Sequence, residues 1–431
     1  MPCSSFPDEE MPKEVAYRMI KDDLVLDGNP MLNLASFVTT YMEDEAEKLI
    51  AESSNKNVID HEEYPKSVEI EHRCLNILAD LFHTPQKDGK ATAVGTACIG
   101  SSEAIMLGVL AMKKRWQNER KAQGKDTSRP NIIMSTGVQV CWEKAARYFD
   151  IEEKLVPCTE TRFVIDPVEA VNLVDENTIG IAAILGTTYT GQYEDVKSIN
   201  DLLIERGLDT PIHVDAASGG FVAPFVNPDL IWDFQLRNVV SINVSGHKST
   251  PGIGWALWRS VEYLPKELIF NINYLGADQL NFTLNFSKPA SHIIAQYYQM
   301  IPDYLADQLE DQGLRPHIVF DEFALSHKLR ERGWIVPAYT MAADCEKMSM
   351  MRVVVREEFS QSRCDSLVHD IQFALRVLAE QEIQNMQRYQ KLMQGQLALP
   401  KTLCAETSCL PISLAPEKTG ITINTRECID T

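Results

Sequence analysis

Apolar residues recur along this 431-residue chain with two different periods, and the changes between them mark its elements. Between Ser67 and Phe82 they fall at Val68, Ile70, Cys74, Leu75, Ile77, Leu78 and Leu81, the spacing of a helix with one buried face. A second helix is predicted from about Ser102 to Lys121, with Ala104, Leu107, Leu110 and Ala111 facing inward. Serines and Glu103 stand at its start, where unpaired N–H groups and the helix dipole favour them. Short apolar runs then alternate with helical patterns, and residues 131–135, 179–185, 212–215, 239–244 and 254–258 read as buried strands. Strands apolar on both faces and separated by helices predict an α/β architecture, a mostly parallel sheet covered on both sides. Residues 1–60 read as irregular and acidic, with one helix over 43–53. Past residue 300 a small α+β region is predicted, with a helix over 324–332, a strand over 351–356 and a helix over 366–382. The tail beyond Glu382 is Gln-rich, then a Cys/Thr/Pro mixture without periodicity, and is expected to be disordered.

Composition narrows the function classes. A hydrophobic share of 45% and a charged share of 24% suit a globular protein with a large core. A formal charge of −20 argues against general binding to nucleic acid or to an anionic membrane. No run approaches the ~18 apolar residues of a membrane span. The first ten residues have neither the basic nor the apolar region of a signal peptide. Ten dispersed cysteines without a CxxC pair read as free thiols in a reducing compartment, which makes a cytoplasmic enzyme the expectation. The nine histidines are scattered, so no metal site is expected, and no GxGxxG follows a strand.

The candidate chemistry gathers at the ends of the predicted strands. The run Val240-Ser-Ile-Asn-Val-Ser-Gly-His-Lys248 ends in a lysine, and Ile212-His-Val-Asp215 ends in an aspartate followed by small residues, Ala216 and Ala217. Pyridoxal phosphate needs that pair: a lysine amine for its aldehyde, and a carboxylate for its ring nitrogen so that the ring accepts electrons. Taken alone, Lys248 reads as a solvated lysine and Asp215 as a strand-end cap. Gly100-Ser-Ser-Glu-Ala104 opens a helix after a glycine- and threonine-containing loop, Val94-Gly-Thr-Ala-Cys-Ile-Gly100. Its N–H groups, hydroxyls and helix dipole suit a phosphate, or simply a serine cap. Gln139 could flank a cofactor ring or cap a helix. Thr188, just past the strand at 179–185, lies where open parallel sheets gather ligands, or in an ordinary turn. His247 could stack on the ring or move a proton. Arg352 and Arg356, four apart on the predicted strand, point the same way, and an arginine grips a carboxylate with two hydrogen bonds. A surface ion pair is the alternative there.

Several segments together resemble the glutamate decarboxylase family: Ser245-Gly-His-Lys248, His213-Val-Asp-Ala-Ala-Ser-Gly-Gly-Phe221, Gly100-Ser-Ser-Glu-Ala104, Asn57-Val-Ile-Asp-His-Glu-Glu-Tyr-Pro65 and Arg330-Glu-Arg-Gly-Trp-Ile-Val-Pro337. The likeness is to pyridoxal-phosphate decarboxylases of fold type I, in their bacterial, plant and fungal form, and covers about 15–299 and 323–359. It implies a mostly parallel sheet of seven-stranded type with helices on both faces and a small C-terminal α+β domain. The implied division is 1–60 for dimer contacts, 61–300 for the cofactor domain, 301–382 for a shortened small domain and 383–431 for a disordered tail. By position, Lys248 would carry the cofactor and Asp215 would hold its ring nitrogen, with Ala217, Gln139 and Thr188 beside it. Ser101, Ser102, Ser245 and His247 would surround the phosphate, and Ser287 would reach the phosphate of the neighbouring subunit. Arg352 would take the α-carboxylate; Ser36, Phe37 and Asp60 would take the distal carboxyl, Asp60 from the partner chain. The implied reaction converts L-glutamate to 4-aminobutanoate and carbon dioxide in a homodimer or hexamer. A carboxylate held near Asp60 favours acid conditions, because two nearby carboxyls share one proton more easily than both ionise. The alternatives are another pyridoxal-phosphate amino-acid decarboxylase or lyase, and a catalytically impaired form. Three places depart from the family pattern. The link from Ser249 to Gly254 is short, 297–308 omits much of a long helix, and 313–323 passes over strands. The tail has no basic, Trp-containing segment, so calmodulin is not an expected partner.

Overall fold

The structure is a computed structural model describing residues 5–7, 9–272, 279–301, 322–356 and 359–393, apart from the side chains of 279 and 381–393. Three helices come first: α1 (Lys13–Leu24), α2 (Asp44–Ser53) and α3 (Pro65–Leu81). A two-residue hairpin, β1 (Gln86–Lys87) with β2 (Lys90–Ala91), leads to β3 (Val94–Cys98) and the long helix α4 (Ser101–Ala122). There follow β4 (Asn131–Ser135), α5 (Val140–Tyr148), β5 (Glu152–Val156), α6 (Pro167–Asn172), β6 (Thr178–Ile184), α7 (Val196–Glu205), β7 (Ile212–Ala216), α8 (Ala223–Val226), β8 (Val239–Ser245) and β9 (Gly254–Trp258). The hairpin β10 (Phe270–Ile272) and β11 (Gln279–Asn281) and helix α9 (Ser291–Met300) lie before the 302–321 segment. Beyond it are α10 (Glu322–Arg330), the hairpin β12 (Ala338–Thr340) and β13 (Ser349–Met351), and α11 (Gln361–Met393).

Seven strands form one sheet in the order β3-β9-β8-β7-β6-β4-β5, parallel throughout except that β9 runs against both of its neighbours. The expected α/β fold with a mostly parallel, doubly covered sheet is therefore what forms. Strands β6, β7, β8 and β9 are buried at every position, which is why their sequences read as apolar runs rather than alternations. One face packs Val214, Ile242 and Val244 under Leu78 and Phe82 of the α3 region and Ile199 and Leu203 of α7. The other packs Ile132, Met134 and Ala182 under Ile105 and Val109 of α4 and Trp142 of α5.

Several expectations need correction. Residues 94–98, read as loop, are the antiparallel edge strand β3, because pairing with β9 outweighs the weak strand propensity of Gly95. The edge strand β5 was not predicted, since Glu152, Glu153 and Lys154 break its apolar pattern. Residues 1–60 hold a second helix, α1, none of whose residues is buried. The predicted strand over 351–356 lies earlier, at β13. Past it, Arg352 N–H donates to the Pro337 carbonyl and Val354 N–H to that of Leu34, so this stretch runs beside 34–37 outside any ladder. Helix α11 continues to Met393, so 383–393 is helical rather than disordered, and 394–431 lies outside the described residues. By contacts the chain divides into Met1–Ala374 and Leu375–Thr431. The short link after Lys248 closes as a turn, with Gly246 N–H on the Ile253 carbonyl (3.1 Å) and Thr250 N–H on the Gly246 carbonyl (2.8 Å). The other two departures fall mostly in 302–321, outside the described residues. Among the described residues, no helix is long and apolar enough to cross a membrane, and no His/Cys/Asp/Glu group could hold a metal.

Strand β9 and the start of α4 touch through two glycines, where a Cβ on Gly254 would lie 2.4 Å from the Gly100 carbonyl carbon. Backbone cannot yield as a side chain does, so Gly254→Ala should lower stability by about 1–3 kcal/mol. Urea unfolding followed by circular dichroism measures this, and an unchanged midpoint would disprove the contact.

Candidate active site

The site is built first on polar residues inside apolar strands. His213 and Asp215 share one face of β7, and Ser241 and Asn243 share that face of β8, where the register pairs His213 with Ser241 and Asp215 with Asn243. The side chains connect. His213 Nδ1 lies 2.7 Å from Ser241 Oγ, and His213 Nε2 lies 2.7 Å from Asn243 Oδ1. Asn243 Nδ2 donates to Asp215 Oδ1 at 2.9 Å. Trp142 Nε1 of α5 donates to Asp215 Oδ2 at 2.8 Å, and the Ala217 N–H to Oδ1 at 3.1 Å. Three N–H donors thus fix a buried carboxyl at the end of its strand. The Trp142 ring also meets His213 edge-on at 5.4 Å, and Gly108 of α4 leaves room for that imidazole.

Next to this ladder, β8 ends and turns at Gly246-His-Lys248. Ser245 Oγ accepts the His247 N–H at 3.4 Å. His247 Nδ1 accepts the Gly252 N–H at 3.0 Å, and its carbonyl accepts the Thr39 N–H at 2.7 Å. Burial holds the imidazole below its ordinary pKa, and Lys248 and His292 add to that. Gly100, the N-cap of α4, faces the same ring. Its φ of +124° is one that a side chain resists, and a Cβ there would lie 2.8 Å from His247 Nε2. The start of α4, with Ser101 and Ser102, therefore stands directly beside His247.

Lys248 is half-buried. Its Nζ lies 3.4 Å from the Phe37 carbonyl and 4.7 Å from the centre of the Phe37 ring. The Arg352 guanidinium covers that ring at 4.2 Å and the Tyr339 ring at 5.4 Å. Its Nη1 donates to the Thr188 carbonyl at 2.7 Å and its Nη2 to that of Ala35 at 3.4 Å, while buried Nε has no hydrogen-bond partner among the described residues. Arg356 donates to the Ser36 carbonyl at 3.1 Å, so both arginines reach 35–36. Desolvation brings the Lys248 amine down to about 8; nearby Asp215 opposes this and Arg352 reinforces it.

The remaining candidates are placed as follows. The Gln139 side chain caps α5 by accepting the Cys141 N–H at 2.7 Å. Ser36 Oγ folds back on Val38. Ser287 Oγ accepts from Asn57 Nδ2 at 3.4 Å, and Asp60 follows in the same segment, so these two are tied to each other's surroundings. Trp142, Asn243 and Tyr339 had no assigned role, although the alternation of Ser241, Asn243 and Ser245 in an apolar run was the signal for a polar face. Buried Glu194 was also missed. It accepts the Ile184 N–H at 2.7 Å and that of Ile165 at 2.9 Å, which closes the loop that carries Thr188, and burial pushes its carboxyl up to about 7. Nothing local in Gln192-Tyr-Glu194 shows this, because the pairing partners are distant in sequence.

Residues 7–320 match the pyridoxal-dependent decarboxylase conserved domain. Glutamate decarboxylase of Petunia hybrida is 51% identical over 419 residues, covering 88% of this chain and 84% of that one. Glutamate decarboxylase of Aliivibrio fischeri is 41% identical over 427 residues, covering 89% and 91%. The solved glutamate decarboxylase of Lactobacillus brevis CGMCC 1306 superposes with a TM-score of 0.81 at 37% identity, covering 87% of this chain and 95% of that one. The chain belongs to the glutamate decarboxylase family. The cofactor of this pyridoxal-dependent family fits the residues present: a desolvated amine at Lys248, a fixed carboxyl at Asp215, the close glycine start of α4, and the Arg352 guanidinium against the same Phe37 ring as the Lys248 amine.

An amine with a pKa near 8 is substantially neutral, and so nucleophilic, well below the pH at which ordinary lysines react. Apoprotein mixed with pyridoxal phosphate should form a borohydride-trapped adduct on Lys248 whose rate climbs through pH 8. A rate that climbs only near pH 10 would show an ordinary solvated amine.

Proposed function

We propose that this glutamate decarboxylase family member converts L-glutamate to 4-aminobutanoate and carbon dioxide with pyridoxal phosphate. The observation that carries the reading is the convergence of the Lys248 amine and the Arg352 guanidinium on the Phe37 ring, with a thrice-bonded Asp215 behind. Similarity to the glutamate decarboxylases of Petunia hybrida and Aliivibrio fischeri supports glutamate as the substrate.

Each group has a task. Lys248 supplies the amine that holds the cofactor. Asp215, with its donors, holds the ring nitrogen, and Ala217 leaves space for the ring. Ser101, Ser102, Ser245 and His247 take the phosphate at the α4 N-terminus. When bound, pyridoxal phosphate supplies a conjugated sink for the electron pair left at Cα as carbon dioxide departs. Arg352 grips the α-carboxylate and so orients the bond that breaks; its planar fork is already half committed to the Thr188 and Ala35 carbonyls, which limits its rotation. A proton delivered to Cα replaces the lost carboxylate, a step assigned to Lys248 or His247. Ser36 and Phe37 receive the distal carboxyl with Asp60. We assign Asp60 and Ser287 to the neighbouring subunit's site, in a homodimer or hexamer. The free thiols Cys74, Cys98, Cys141, Cys158, Cys345 and Cys364 support a cytoplasmic location.

The test is release of labelled carbon dioxide from carboxyl-labelled glutamate by cofactor-loaded protein. Lys248→Ala should abolish both the release and the yellow absorption of the holoprotein. Release from tyrosine or histidine but not glutamate would favour a related decarboxylase, and normal cofactor absorption with no release would favour an impaired form. Arg352→Lys loses the two-point grip and should raise KM for glutamate about 10- to 100-fold, with the holoprotein spectrum unchanged.

A further inference from the structure

Glu103 is buried in the first turn of α4, and the mechanism does not use it. Its Oε2 accepts the Ile99 N–H at 2.8 Å. Its Oε1 accepts the N–H groups of Leu284 at 3.0 Å and Asn285 at 3.3 Å. One carboxylate therefore ties the loop entering α4 to a segment far along the chain. Three backbone donors would lose their acceptor without it.

That segment is the one that carries Ser287, and its other end is fixed as well. Lys288 Nζ donates to the Ala97 carbonyl at 2.7 Å, and the Lys288 N–H donates to Asn57 Oδ1 at 3.1 Å. The Val58 N–H returns to the Lys288 carbonyl at 2.9 Å. Ser287 and the strip Asn57–Asp60 thus form one unit, fastened to β3 and α4 by Lys288 on one side and Glu103 on the other. We infer that Glu103 is a positioning residue for the neighbouring subunit's site, because it fixes the unit through which Ser287 and Asp60 complete that site. This rests on the proposed function, in the part that gives Ser287 and Asp60 to the neighbour. The competing role is local, in which Glu103 only shapes Ile99 and Gly100 for its own chain's phosphate cup.

Subunit mixing separates the two. A Lys248→Ala chain has no working amine but offers an intact Glu103, Ser287 and Asp60 to its neighbour. A Glu103→Gln chain keeps Lys248, and alone should lose at least about tenfold in activity. Differently tagged copies of these two chains are co-expressed and purified through both tags. Activity well above that of either parent is expected, because the Lys248-bearing site is then completed by an intact neighbour. No recovery would mean that Glu103 serves its own site and would overturn the inference. A mere loss of fold in the Glu103→Gln chain would also give no recovery, so Glu103→Asp is run beside it, with cofactor absorption as the check on folding. The Asp60→Ala chain paired with Lys248→Ala is the control. Recovery there, without recovery for Glu103, rejects the inference alone. Failure there rejects the shared site and the inference with it.

Discussion

The buried carboxyl of Asp215 is the constraint around which the rest of the molecule is arranged. A carboxyl at the end of a fully buried strand is costly unless its oxygens are met by donors. Here the donors come from three different places: Asn243 on the adjoining strand, Trp142 on α5 and the backbone just past β7. Asn243 is in position only if β7 and β8 keep their register, since a one-residue slip would turn it away into the apolar face. Helix α5 must also lie close enough for an indole to reach across. Sheet register, helix packing and site chemistry are therefore one requirement. His213 extends it, because its ring links Ser241 to Asn243 and is accommodated by the missing Cβ of Gly108.

The second organising effect is the crowding of two cations on one aromatic ring. Lys248 and Arg352 both lie within reach of the Phe37 face. An arginine stays charged almost whatever its setting, so the balance tips on the lysine, whose amine is pushed toward neutrality by burial and by its neighbour. Tyr339 closes the other side of the guanidinium and donates to the Tyr189 carbonyl at 2.5 Å, next to the Thr188 carbonyl that Arg352 uses. Residues 35–37, 188–189, 339 and 352 come from four separate stretches of chain, and together they form a single clamp.

The turn after Lys248 is held by its own backbone and by the neighbouring helix. Ser249 to Ile253 close on Gly246 and pack against α9, where Gln296 donates to Ser249 Oγ at 3.1 Å and His292 Nδ1 lies 2.6 Å from the Pro251 carbonyl. A Cβ on Gly246 would strike Gln296, so the glycine before His247 and Lys248 is what lets the helix approach so near. The turn is thus fixed locally, beside the polar ladder of β7 and β8.

Much of this was readable in the sequence for plain physical reasons. Strands buried on both faces must be nearly all apolar, so 131–135, 212–215 and 254–258 stood out, and polar residues such as Asp215 and Lys248 at their ends were conspicuous. Edge strands escape that logic. Glu152–Val156 is half exposed, and Val94–Cys98 owes its form to its pairing with β9, so neither has a local signature. Amino-acid order by itself marked the sheet's buried strands, the lysine and aspartate at their ends, and the arginine beyond them. Only tertiary structure decided what surrounds those groups: the donors on Asp215, the aromatic clamp on Arg352, and the anchoring by Glu103 and Glu194. The reason is that a hydrogen bond between residues on different elements depends on distance and direction in space, and neither is encoded in the identity of nearby residues.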